Sequence, residues 1–151
     1  FIRRDFYGES SLSGTPFIWD CCSTVSGSMI IYAHNMKNGT LFGELDEYES
    51  EDYRNKHSVL EFYTPDESRQ YEIFAAFRTE LVYENQEGFR YYEYVGDMTE
   101  ERFDEFMNQL RQHSFYNTES WPEYGDQLII LSTCSYYTEN GRFVVVARRV
   151  E

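Results

Sequence analysis

Residues 127–150 read QLIILSTCSYYTENGRFVVVARRV, and this stretch decides the fold. Its two ends, 127–134 and 142–150, are rich in branched apolar residues, the composition of buried strands. Between them stands SYYTENG, residues 135–141, closing on the turn pair Asn140-Gly141. A loop over 135–141 makes the two strands antiparallel neighbours. Cys134, the last residue of the first strand, then stands opposite Arg142, the first residue of the second. Opposed residues share a face, with Cβ atoms roughly 4.5–5.5 Å apart. A bulged loop is the other open reading, because a one-residue slip would carry Arg142 to the opposite face.

A guanidinium beside a thiol has two chemical uses. It favours the thiolate, the reactive form, or it donates hydrogen bonds to the oxyanion formed when a thiolate attacks a carbonyl. A buried structural cysteine near a surface arginine is the third reading of the pair. His34 adds to it. This residue ends the apolar run MIIYAH, residues 29–34, just before polar Asn35, Lys37, Asn38 and Gly39. A cysteine and a histidine far apart in sequence and joined in space are the usual arrangement of a cysteine nucleophile. His57, between Lys56 and a strand start, reads as structural. So does His113, which closes a helix where an imidazolium suits the dipole.

The rest of the chain supplies further strands at 58–64, 69–81 and 90–95, with a turn at Pro65, Asp66 and Glu67. Helical spacing occurs twice. Leu41, Leu45 and Tyr48 mark a helix over 40–54. Phe103, Phe106, Met107 and Leu110 mark an amphipathic helix over 99–112, capped by Asp97 or Thr99. Many strands and few helices predict a strand-dominated α+β domain, a barrel, spanning residues 1–151 as one unit.

Bulk composition narrows the function. The 151 residues are 41% hydrophobic, enough for one folded core. With 27 acidic against 13 basic residues, the net charge of −14 argues against nucleic acid and anionic lipid as partners. Three cysteines do not make a disulfide framework, and adjacent Cys21 and Cys22 lack zinc-ligand spacing. No metal site is expected. No apolar run approaches the roughly 20 residues of a membrane helix, and the first residues carry no signal-peptide pattern. That leaves a cytosolic protein, or an export or anchor segment upstream of residue 1.

Two segments carry a family resemblance. IIYAHNMKNGTLFGEL, residues 30–45, resembles the segment around the catalytic histidine of class B sortases. LIILSTCSYYTENGRFVVVARRV, residues 128–150, resembles that family's catalytic cysteine and arginine strands. RNKHSVLEFYT (54–64), YEIFAAF (71–77) and the opening RRDFYGESSLSGTPFIWD fit in the same order. The resemblance implies a sortase β-barrel with a helix inserted before the cysteine strand. It implies Cys134 as nucleophile, His34 as general acid and base, and Arg142 as the group that steadies the substrate carbonyl or oxyanion. Tyr32, Ser132 and Thr133 fall on positions that line the substrate groove. No cofactor is implied. The expected partners are a sorting-signal peptide of a secreted surface protein and an amine of a peptidoglycan precursor or pilin.

The same resemblance implies a place on the outer face of the cell membrane, and an anchor, helices and a first strand region upstream of this chain, which makes it an N-terminally incomplete domain. Two features depart from the pattern. Ala33 stands in Tyr32-Ala33-His34 where the family usually has glycine, and Cys21 and Cys22 have no family counterpart. Two other functions stay open: a hydrolytic cysteine peptidase of the same fold, and a non-catalytic surface-binding module.

Overall fold

A computed structural model of the chain describes residues 9, 17–18, 23, 26–33, 45–80, 88–119, 121–134 and 141–150. Among the described residues six strands form one sheet: β1 (Phe17–Ile18), β2 (Ser28–Tyr32), β3 (Val59–Tyr63), β4 (Ser68–Glu80), β5 (Leu128–Cys134) and β6 (Gly141–Arg149). Their order across the sheet is β1-β2-β5-β6-β4-β3. Every neighbouring pair is antiparallel except β2 and β5, which run parallel. A parallel pair cannot be joined by a tight turn. Its connection holds both described α-helices, α1 (Glu51–Lys56) and α2 (Glu100–His113). The result is the strand-dominated α+β fold expected, curled as a half-barrel.

The central strands are apolar at nearly every position because both faces of the sheet are covered. Ile30, Leu128, Ile130, Val144 and Val146 pack on one side with Phe74 and Phe77. Met29, Ile31, Ile129, Phe143, Val145 and Ala147 pack on the other with Tyr71 and Ile73. The edge strand β3 instead alternates exposed and half-buried residues. In β4 the pairing with β6 steps between Ile73 and Ala75, so Phe74 is an extra residue, a β-bulge.

Helix α2 covers the first face with the predicted stripe: Phe103, Phe106, Met107 and Leu110 are buried. Thr99 caps it, its side chain accepting from the Arg102 N–H at 3.2 Å. The Tyr94 ring stacks on Phe106 at 4.6 Å. The opposite face is closed by Leu45, Tyr116 and the half-buried Tyr48.

Three local expectations are corrected. Residues 90–95 are not a strand: Tyr91–Glu93 form a 3₁₀ turn, with Phe89, Tyr91 and Tyr94 all buried in the core under α2. The helix expected over 40–54 is divided in its described part. A 3₁₀ segment, Leu45–Glu49, ends at Ser50, which caps α1 by accepting from the Tyr53 N–H. Residues 40–44 lie outside the described residues. The two-residue strand β1 has no counterpart among the expected strands.

Candidate active site

The sheet order sets β5 between β2 and β6, so the ends of β2 and β5 meet the start of β6 at one end of the sheet. In the β5–β6 register the last pair is Cys134 opposite Arg142. This is the pairing the unbulged loop requires. On its other side Arg142 pairs with Thr79 of β4. Arg142 is thus held between two strands. It is half-buried, and its Nη1 donates to the Gly141 carbonyl at 2.8 Å. The backbone of Cys134 is described as strand. Its side chain, His34, residues 135–140 of the expected loop over 135–141, Cys21 and Cys22 lie outside the described residues.

The remaining predicted residues fall at the same end. Tyr32 pairs with Ser132 across the parallel β2–β5 ladder and is half-buried. Ser132 is fully buried, and its Oγ shares a 2.7 Å hydrogen bond with the Tyr91 hydroxyl. Thr133 is 2% exposed and its Oγ1 donates to the Ala33 carbonyl at 2.7 Å. The Ala33 N–H donates to the Ser132 carbonyl at 3.3 Å. Ala33, the residue before His34, is therefore tied to the two residues before Cys134. The hydroxyls of Ser132 and Thr133 are both engaged within the fold.

Sequence reading does not single out Tyr91 or Thr79. Nothing in linear spacing links residue 91 to residue 132. Thr79 owes its place beside Arg142 to the bulge at Phe74, which no strand pattern announces. Among the described residues, no three His, Cys, Asp or Glu side chains gather closely enough to hold a metal ion.

A strand end that carries a cysteine, paired with an arginine fixed from both sides, can do acyl-transfer chemistry. The Sortase domain family model matches residues 19–150. The chain belongs to the sortase family. Sortase B of Listeria monocytogenes is 32% identical over 155 aligned positions, covering 99% of this chain and 60% of that protein. A crystal structure of sortase B complexed with triglycine superposes with a TM-score of 0.84 at 23% identity, covering 99% of this chain and 68% of that one. The Staphylococcus aureus sortase B–substrate complex superposes at 0.81, with 23% identity and coverage of 99% and 68%. These relatives are class B sortases, the class to which this sortase domain belongs. The chain spans about three fifths of the length of the curated relatives it matches.

Proposed function

We propose that this sortase domain is a cysteine transpeptidase in which Cys134, His34 and Arg142 carry the chemistry, with residues 1–151 acting as one catalytic unit. The observation that carries the reading is the register that sets Cys134 opposite Arg142. The Cys134 thiolate attacks the carbonyl carbon of a threonine in a sorting-signal peptide. The carbonyl π pair moves to oxygen, and the Arg142 guanidinium donates to that oxyanion. Collapse re-forms the carbonyl and breaks the C–N bond. The departing amine takes its proton from the His34 imidazolium, leaving a thioester on Cys134 and a neutral His34. An incoming amine then attacks the thioester, His34 accepts its proton, and the thiolate leaves as the new amide forms.

The substrate and triglycine complexes of the relatives support a peptide as acyl donor and an amine as acceptor. The acceptor amine belongs to a peptidoglycan precursor or a pilin in this reading. Tyr32 borders the peptide groove in this reading, and Ser132 and Thr133, both buried, stand behind its wall. Family membership supports a cell-surface location. Among the described residues, no helix is long and apolar enough to cross a membrane.

The test is a panel of sorting-signal peptides, with and without triglycine, followed by mass spectrometry. Cleavage after threonine, a thioester adduct on Cys134, and a triglycine-ligated product are expected. Release of free acid only, at any triglycine concentration, would make the domain a hydrolase. Turnover by Cys134→Ala would remove the assignment altogether.

A further inference from the structure

We infer that Thr133 is a positioning residue, whose hydroxyl sets the geometry between the strand that ends in Cys134 and the backbone at Ala33 that leads into His34. The inference rests on the catalytic reading above. The ladder between β2 and β5 ends at the pair Tyr32 and Ser132. Just beyond it, two bonds continue the contact. One is the backbone bond from Ala33 N–H to the Ser132 carbonyl, at 3.3 Å. The other is the side-chain bond from Thr133 Oγ1 to the Ala33 carbonyl, at 2.7 Å. Of the two, the side-chain bond is the shorter, and it is shielded from water by the 2% exposure of Thr133.

Covalent geometry gives this bond its leverage. The Ala33 carbonyl belongs to the planar peptide unit through which the chain passes to His34, so fixing the oxygen fixes that plane. Thr133 is joined directly to Cys134. One hydrogen bond therefore has each catalytic position a single residue from one of its ends. The bracing is also one-sided. β5 has β6 along its whole length, seven paired residues, whereas among the described residues the far side of β2 is paired by β1 at Ile31 and Tyr32. Ala33 lies one residue beyond the described pairs of β1, and the Thr133 bond is the shorter of the two that tie it to β5. Proton transfer between a thiol and an imidazole needs heavy atoms within about 2.6–3.2 Å. A misplacement of about 1 Å costs on the order of 10²-fold in rate. A valine at 133 would fill the same volume and suit a strand as well, so only the hydroxyl carries this function.

Thr133→Val removes the donor at nearly constant shape, and Thr133→Ser keeps it. The first readout needs no substrate: the pH dependence of Cys134 alkylation by iodoacetamide, resolved by peptide mass spectrometry so that Cys21 and Cys22 are counted apart. The second is kcat and KM on a sorting-signal peptide, with Tm measured alongside. For Thr133→Val the alkylation profile should move toward that of His34→Ala. Its kcat should fall about 10- to 100-fold with KM within about twofold, and Thr133→Ser should recover most of that loss. If the valine variant folds poorly, Thr133→Ala gives the same comparison. A hydroxyl-less variant with a wild-type alkylation profile and kcat would overturn the inference, as would a loss confined to KM, which would put Thr133 on the substrate. Cys134→Ala keeps the two readings apart. Turnover surviving in that variant refutes the catalytic assignment, whereas an inactive Cys134→Ala beside an unimpaired Thr133→Val refutes only the positioning role.

Discussion

Replacing Tyr91 with phenylalanine removes one oxygen and keeps the ring. Tyr91 is 1% exposed, and its edge contacts with Phe77 at 5.7 Å, Phe89 at 6.4 Å and Tyr92 at 5.4 Å would survive. What changes is Ser132, which has no exposure to solvent and loses the 2.7 Å partner of its hydroxyl. A buried polar group left unsatisfied costs about 1–3 kcal/mol. In a chain of this size each kcal/mol lowers Tm by about 2–4 °C, so the drop should lie between roughly 2 and 12 °C. Adding Ser132→Ala to Tyr91→Phe removes the orphaned hydroxyl. The double variant should therefore regain about 1 kcal/mol relative to Tyr91→Phe alone. Urea denaturation followed by circular dichroism, on the wild type, both single variants and the double, measures this coupling. A wild-type midpoint for Tyr91→Phe would refute the reasoning. So would a double variant whose losses simply add.

Other outcomes follow from the same geometry. Arg142→Lys keeps the charge but loses the planar fork of donors, so kcat should fall by about 10²- to 10³-fold with little change in Tm; steady-state kinetics on a cleaved peptide decides it. Glu67 is held below its ordinary pKa chiefly by the hydrogen bond from Arg69, with Arg149 adding to it. A carboxyl with a depressed folded pKa stabilises the fold above its unfolded value, near 4.5, and loses that contribution as pH falls through the folded one. Glu67→Gln should accordingly flatten the acid limb of a Tm-versus-pH curve and leave the slope above neutrality unchanged. Changing Cys21 and Cys22 together to serine should keep turnover within about tenfold of wild type, or about 1.4 kcal/mol in the barrier, as measured by peptide cleavage.

The hairpin at the heart of the site is legible in the sequence because its information is local. Two branched apolar runs around an Asn-Gly pair specify both strands but leave a bulged register open, and the structure pairs Cys134 with Arg142, the register without the slip. The amphipathic helix is legible for the same reason, with one face apolar and Thr99 at its start. RYYEYV over 90–95 misleads because aromatic residues favour strands only where a pleated surface exists to receive them. Here Phe89, Tyr91 and Tyr94 all enter the core beneath α2, and a 3₁₀ turn is the backbone that allows it. The break at Ser50 does carry a local signal, since a serine followed by Glu51 and Asp52 is a helix start, but the longer apolar spacing masks it. The parallel β2–β5 pairing has no local signal, since it joins residues about 100 apart. The Thr133 bond depends on that pairing.

The bulge in β4 acts on the site from a distance. With Phe74 as the extra residue, Thr79 stands opposite Arg142, and Arg78 stands opposite Phe143. Arg78 thereby goes to the far face, where it pairs with Glu49 at 2.8 Å and lies over the Phe143 and Phe115 rings. Were Phe74 paired in the ladder instead of bulged out of it, the strand would keep its earlier register, and Arg78 would face Arg142 directly, a like-charge pair. The inserted residue works as a sorter of cations. It sends one guanidinium to a structural ion pair and leaves the other with a neutral neighbour, so the charge at the cysteine strand is that of Arg142 undivided. Drawing Phe74 back into the ladder, some five residues up the strand and buried in the core, would rewrite the electrostatics of the site without changing any residue in it.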